Sequence, residues 1–278
     1  MSSQDVTQRF LFEHADVRGE LVSLNQSYGE ILAKHDYPEP VKALLGEMLA
    51  AAVLLSTAIK FDGLLIMQAS SSGPLSTLMV ECSSQQEVRA IARYSDDLQG
   101  EGLAALMPDG VLAITIDPDQ GQRYQGVVAL EGNSLADSLA GYFDSSEQLP
   151  SRFRLLADGR TARGFMLQAL PADRQTDPQE RQETWNRLSI LADTLSVEEL
   201  MALDNQTILH RLYHEEDVRL FDERSVSFRC SCSAERSGSA LVSLGRDDAF
   251  LLLEERGGEI DIDCQFCNTR YLFDRAAL

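Results

Sequence analysis

With 278 residues, 44% of them hydrophobic, the chain is long enough for a sizeable core and two domains, and too apolar to be disordered. A formal net charge of −20 opposes nucleic acid as the main partner, because phosphate binding needs a basic footprint. The opening MSSQDVTQRF lacks the basic and apolar regions of a secretory signal. The most apolar run, Met48–Ile59, is shorter than the roughly 20 residues a bilayer crossing takes, so no membrane role and a soluble, cytoplasmic protein are expected.

Residues 1–172 read as one α+β domain built on an antiparallel sheet. Phe10–Glu13 and Val17–Leu24 are strand-like, the second alternating Val17, Gly19, Leu21 against Arg18, Glu20, Val22. Tyr28–Lys34 is a short helix. Pro40 starts a long helix through Lys60, at a position where its missing N–H costs nothing. Apolar residues cover most of that helix's circumference, which predicts a helix wrapped by other elements. Short strands follow at Leu64–Ala69, Leu75–Cys82, Val88–Tyr94, Val111–Asp117 and Tyr124–Leu130. Ser134–Tyr142 is helical. Thr161–Leu170 then pairs with Arg152–Ala157 across an Asp158-Gly159 turn. Many strands at hairpin spacing with few helices point away from a doubly wound nucleotide fold. No phosphate loop, GxSxG or HExxH occurs, so neither ATP binding nor an enzyme is expected.

Residues 173–224 change character: thirteen acidic residues against six arginines, in short helices. Asp177 caps the first, with Pro178 in its first turn and Glu180 placed for a capping box. Trp185, Leu188, Leu191 and Leu195 form its narrow apolar stripe. Ser196-Val-Glu-Glu199 opens a second helix, and Gln206–His214 makes a third. Helices this short are marginal alone, so their order must come from docking, and the segment reads either as an ordinary helical hairpin between domains or, more sharply, as an interdomain segment near its folding midpoint.

Residues 225–278 hold four of the five cysteines, as Cys230-Ser-Cys232 and Cys264-Gln-Phe-Cys267, in turns beside strand-like Ser225–Arg229, Glu259–Asp263 and Arg270–Phe273. Two tight pairs brought together across a folded segment offer four thiolates, the tetrahedral soft shell that Zn²⁺ prefers. Two permanent disulfides are the weaker reading for a reducing cytosol. Nine acidic and six basic residues here argue against a zinc ribbon that grips nucleic acid. A thiol–disulfide oxidoreductase using Cys264 and Cys267 is a further alternative, disfavoured because the pair lies between strands and not at a helix N-terminus. Cys82, alone in a strand, reads as a buried inert thiol. His210 and His214 fall at i, i+4 but rank as surface or packing residues; His14 and His35 show no partner in the sequence.

The cysteine spacing after a helical connector resembles the heat-shock protein 33 family of bacterial redox-regulated chaperones. So do Phe10-Leu-Phe-Glu…Val17-Arg-Gly19, Leu44-Leu-Gly-Glu-Met-Leu-Ala-Ala, Ile59-Lys-Phe-Asp-Gly63 and Gly73-Pro-Leu75 ahead of Arg89-Ala. The resemblance spans essentially the whole chain. It implies a substrate-binding domain (1–172), a metastable linker (173–224) and a zinc-binding redox switch (225–278). It implies Cys230, Cys232, Cys264 and Cys267 as zinc ligands, with disulfides Cys230–Cys232 and Cys264–Cys267 on oxidation. The active form would be an ATP-independent holdase, a homodimer when oxidised, that binds unfolding client proteins. Trp185, Leu188 and Leu191 are candidate client-binding residues. The magnitudes suit a switch. A structural four-ligand zinc contributes about 10–16 kcal/mol to folding a small module. A disulfide closing three or four residues contributes only roughly 1.6–1.9 kcal/mol.

Overall fold

A computed structural model describes residues 5–243 and 245–275 as two compact units, one ending at Phe228 and the other beginning at Arg229. The expected outer bounds Met1 and Leu278 lie outside the described residues.

The first unit carries two sheets. One has the order β10-β1-β2-β9-β8, with β11 also paired to β1. Its strands are β1 (Val6–Phe12), β2 (Val17–Leu24), β8 (Ser151–Ala157), β9 (Ala162–Ala169), β10 (Val218–Leu220) and β11 (Arg224–Ser225). The other has the order β12-β5-β4-β3-β6-β7. It is built from β3 (Gly63–Ser70), β4 (Leu75–Ser83), β5 (Glu87–Tyr94), β6 (Val111–Pro118), β7 (Tyr124–Ala129) and β12 (Ser227–Phe228). Pairing is antiparallel throughout except β12 against β5, which is parallel. The α+β class and the antiparallel sheets match the sequence expectation. The β8–β9 hairpin turns where predicted: Asp158 accepts the N–H groups of Arg160 and Thr161, and Gly159 takes φ 78°.

Helices α1 (Gln26–Leu32) and α3 (Gly102–Leu106) lie against the long α2 (Glu39–Ala58), and α4 (Leu135–Ser145) packs on β8 and β7. At 20 residues and a mean hydropathy of 1.6, α2 has the length and composition of a membrane span, and it is longer than the apolar run suggests. It is instead a core helix. It lies against β2, β8 and β9 of one sheet and against β3, β4 and β5 of the other. Val41, Leu45, Met48, Leu49 and Leu55 are fully buried, so its apolar circumference is consumed by the two sheets.

The second face of the first sheet is covered as well. Helices α5 (Pro178–Asp193), α6 (Val197–Ala202) and α7 (Asn205–Tyr213) bury Trp185, Leu188, Leu200, Leu209, Leu212 and Tyr213 in one cluster with Phe10, Phe12, Leu21 and Phe165. The segment expected to be a linker is thus part of the first unit's packing. This also explains why the alternation of β2 leaves neither side wet: Val22 faces the α2 core, and Leu21 faces the helices. Two caps fix the helix starts. Asp177 accepts from the N–H groups of Gln179 and Glu180, while the reciprocal capping box forms at Ser196 and Glu199.

The second unit contains α8 (Ala234–Ser243), α9 (Arg246–Glu255) and the hairpin β13 (Ile260–Asp263) with β14 (Arg270–Phe273). Its buried apolar core comes to Leu241, Ala249, Leu253, Ile260 and Phe273 among the described residues. A module of some 50 residues with so small a core falls in the size range where metals or disulfides usually complete the fold.

Candidate metal centre

The second cysteine pair sits in the turn of the β13–β14 hairpin. The Cys264 N–H donates to the Thr269 carbonyl at 2.9 Å, and the Asn268 N–H returns to the Cys264 carbonyl at 2.7 Å. Asn268 takes the left-handed φ of 58° that closes so tight a loop, a conformation asparagine tolerates better than most residues. The first pair lies just ahead of α8. Ser233 starts that helix by accepting from the Arg236 N–H at 3.2 Å. The Arg236 guanidinium turns back to the Ser231 carbonyl and hydroxyl, both at 3.0 Å, and braces the residue between the two cysteines. Nothing in the spacing hints at this brace, because an arginine four residues past a cysteine carries no signature.

Together the turns bring the Sγ atoms of Cys230, Cys232, Cys264 and Cys267 within 4.8 Å of one another. Cys230 and Cys264 are 3.6 Å apart, and Cys232 and Cys267 are 3.4 Å apart. None of the four is in a disulfide. Four sulfurs about 2.3 Å from a central zinc would stand about 3.8 Å from each other, so the donor set fits a tetrahedral ion both in chemistry and in spacing.

Neighbouring groups polarise the sulfurs unequally. Burial raises the Cys264 thiol, offset in part by the backbone N–H groups of Cys267 and Phe266 that point at it. Burial also works against the Cys267 thiolate, yet the Thr269 hydroxyl and N–H and the nearby cysteines prevail and lower it to about 6. The Thr269 hydroxyl lies 3.2 Å from Cys267 Sγ, and Tyr271 donates to Cys232 Sγ at 3.1 Å. Hydroxyl donors of this kind orient and stabilise metal-bound thiolates.

The other candidates lie elsewhere. Cys82 is fully buried, 3.3 Å from the Ser56 hydroxyl, and burial pushes its thiol up to about 12, in keeping with an inert side chain. His210 and His214 are exposed with rings 5.8 Å apart. His14 meets Asp217 at 3.0 Å on the surface, and the His35 ring packs 5.3 Å from Tyr37. Trp185 and Leu188 are buried and Leu191 is partly buried in the cluster beneath α5–α7. All three therefore contribute to docking in this conformation.

Comparison with known proteins agrees with this architecture. The family model described as "Hsp33 protein" matches residues 5–274. The 33 kDa chaperonin of Ectopseudomonas mendocina is 64% identical over 98% of this chain and 93% of its own length. That of Pseudomonas aeruginosa is 63% identical over 99% of this chain and 93% of its own. The crystal structure of the 33 kDa chaperonin (heat shock protein 33 homolog) of Thermotoga maritima is similar with a TM-score of 0.80. It covers 99% of this chain and 96% of its own, and at 23% identity it speaks to the fold. A family match over nearly the whole chain and relatives of this identity agree with the four-cysteine centre: the chain belongs to the Hsp33 family.

Proposed function

We propose that this chain is a redox-regulated, ATP-independent holdase of the bacterial cytosol that binds unfolding proteins and keeps them from aggregating. The observation that carries the reading is the four-sulfur cluster in a unit whose own core is so small. Names of close relatives support the chaperone activity. Cys230, Cys232, Cys264 and Cys267 would hold one Zn²⁺, which supplies a central charge that keeps four thiolates together and folds the module.

The thiolates are also the reactive form towards peroxide. One thiolate attacks the peroxide O–O bond, becoming a sulfenic acid and releasing hydroxide. Its partner thiolate then displaces a second hydroxide from that sulfur and closes an S–S bond. Each disulfide thus costs one peroxide, and the two hydroxides take up protons to give water. All four sulfurs lie within 4.8 Å of one another, so distance does not select the pairing; the family resemblance implies Cys230–Cys232 and Cys264–Cys267. Bridges this short close almost no chain, so they cannot replace a four-ligand centre as a source of order.

Loss of the module removes the tether that follows Phe228. The acidic helices α5–α7, ordered by docking and, for α6 and α7, too short to persist alone, would then leave the first sheet and uncover Phe10, Phe12, Leu21 and Phe165 with their own Trp185, Leu188 and Leu191. An apolar surface of this kind would bind non-native chains or a second copy, as in the oxidised homodimer that the family resemblance implies. No nucleic acid, nucleotide or membrane enters the scheme. The test is light scattering from a heat-denaturing enzyme mixed with reduced, zinc-loaded protein or with peroxide-treated protein. Suppression by the oxidised form alone is expected, and equal suppression by both forms would reject the switch.

A further inference from the structure

We propose that the groove between the outer edge of β5 and helix α1, filled here by the chain's own Val226, Ser227 and Phe228, is a binding site for an extended segment of an unfolding protein. The inference rests on the holdase reading and adds where a client's backbone is held.

Three observations carry it. First, the groove already holds an extended strand. β12 lies parallel to β5, with Ser227 opposite Glu87 and Phe228 opposite Val88, and the Ser227 N–H donates to the Gln86 carbonyl at 3.1 Å. Helix α1 lies against both this strand and β5. A strand inserted between a sheet edge and a helix is β-augmentation, in which main-chain bonds take any sequence and alternate side chains are selected by pockets. Val226 is 6% exposed within the main core cluster, and Phe228 packs against that cluster with the Lys34 ammonium 5.4 Å above its ring. The pattern the groove selects is therefore apolar, any residue, aromatic.

Second, the resident strand covers only part of the edge: it makes two residue pairs with a strand of eight, its other holds being the Val226 N–H on the Asp5 carbonyl at 2.9 Å and the pairing of β11 with β1 just ahead of it. At the far end of β5 the Ala92 N–H is taken by the Tyr37 hydroxyl at 3.2 Å, so the stretch between Val88 and Ala92 sets the room for a longer guest. Phe228 is followed by Arg229 and Cys230, so one end of β12 is continuous with the metal module. While that module is ordered, this end is fixed; once the module is disordered, the strand can fray from it. A client strand that makes more pairs than two then competes successfully.

Third, a cavity of about 310 Å³ adjoins Val226–Phe228, lined also by Asp5, Gln26, Ser27 and Glu30. Ser27 is 1% exposed, and its hydroxyl has no hydrogen-bond partner among the described residues. A buried hydroxyl left unpaired is costly, and a guest larger than the resident strand would satisfy it.

The experiment places photoreactive benzoylphenylalanine at residue 87 of the full-length protein, and separately at Gln125 on the opposite edge strand β7. Each variant is illuminated with heat-denaturing malate dehydrogenase, before and after peroxide. Oxidised protein is expected to cross-link the client at least fivefold more from residue 87 than from residue 125, and reduced protein is expected to cross-link little from either. Excess peptide RSVSFR, the sequence of residues 224–229, should compete; the same peptide with Val and Phe replaced by Ser should not. If oxidised protein suppresses aggregation normally but cross-links from residue 87 no more than from residue 125, the site is wrong and the holdase reading stands. Cross-links from residue 87 to residues 225–229 of a second copy, in place of client, would also overturn it. Failure of the oxidised wild-type protein to suppress aggregation would remove both. Independently, a fluorescent RSVSFR peptide should bind zinc-loaded Phe228→Ser at least tenfold more tightly than zinc-loaded wild type. Equal binding would overturn the proposal.

Discussion

Leu188→Ala is the sharpest probe of the helices on the first sheet. Leu188 is fully buried on α5, in the cluster shared with Phe10, Phe12 and Phe165, and its carbonyl accepts the Tyr213 hydroxyl that ties α5 to α7. Truncating a fully buried leucine costs about 2–5 kcal/mol, partly as lost transfer energy and partly as a cavity. At about 1.4 kcal/mol per factor of ten, that raises the undocked fraction of α5–α7 roughly 30-fold to several-thousand-fold. Hydrogen exchange on reduced, zinc-loaded protein should show amides of 178–213 losing protection by that factor, while β3, β4 and β6 keep theirs. The same protein should begin to suppress aggregation without oxidant. Should protection in 178–213 fall as expected and the reduced variant stay inactive, these helices do not gate the chaperone. If the oxidised variant is instead much weaker than oxidised wild type, Leu188 itself contributes to client contact.

Asp16 accepts the N–H groups of Asp173, Arg174 and Gln175 at 3.0–3.1 Å, in the stretch leading into α5. Burial would raise its pKa, but these three bonds and Arg181 prevail and hold it below its ordinary value. A depressed carboxyl stabilises above its unfolded pKa and stops doing so as pH falls through the folded one. Asp16→Ala should therefore destabilise by about 1.5–3 kcal/mol at neutral pH, with the deficit shrinking below about pH 4. A deficit that stays constant down to pH 2 in thermal melts would contradict this. Tyr271→Phe removes the hydroxyl aimed at Cys232 Sγ. It should weaken zinc retention about 10- to 100-fold in competition with a chromogenic chelator, and unchanged retention would refute the role. Gly19→Ala would place a Cβ 2.0 Å from the Phe10 ring that lies across it. The ring must then leave the shared cluster, so the variant should lose protection in 178–213 before it loses the α2 core. Uniform loss throughout the first unit would refute that order.

What the sequence shows well is whatever depends on local chemistry. The bounds of β2, the Asp158-Gly159 hairpin, the Asp177 and Ser196 helix starts and the cysteine quartet all follow from neighbours a few residues apart. What it shows poorly depends on distant partners. Ser225–Arg229 reads as strand-like, but nothing local says that Ser225 joins β1 in one sheet while Ser227 and Phe228 join β5, well over a hundred residues earlier in the chain, in the other. The split into two sheets is hidden because the strands of both read alike, and only α2, apolar all round, implies that something covers each side. Helices α8 and α9 in the second unit are short and weakly patterned, so the segment between the cysteine pairs reads merely as folded. At the metal centre the ligand types are plain in the sequence, whereas Thr269 and Tyr271 reach the cysteine sulfurs, and Arg236 reaches Ser231 between the first two, through side-chain geometry that spacing does not encode.

The most direct measurement is bound zinc recorded together with hydrogen exchange across residues 229–275, before and after chelator and peroxide. One zinc per chain is expected, with protection in β13, β14, α8 and α9 collapsing as the ion is lost, followed by protection in α5–α7. If those amides stay protected after the metal has gone, the small core of the second unit suffices by itself, and the ion does not control the order of this part of the molecule.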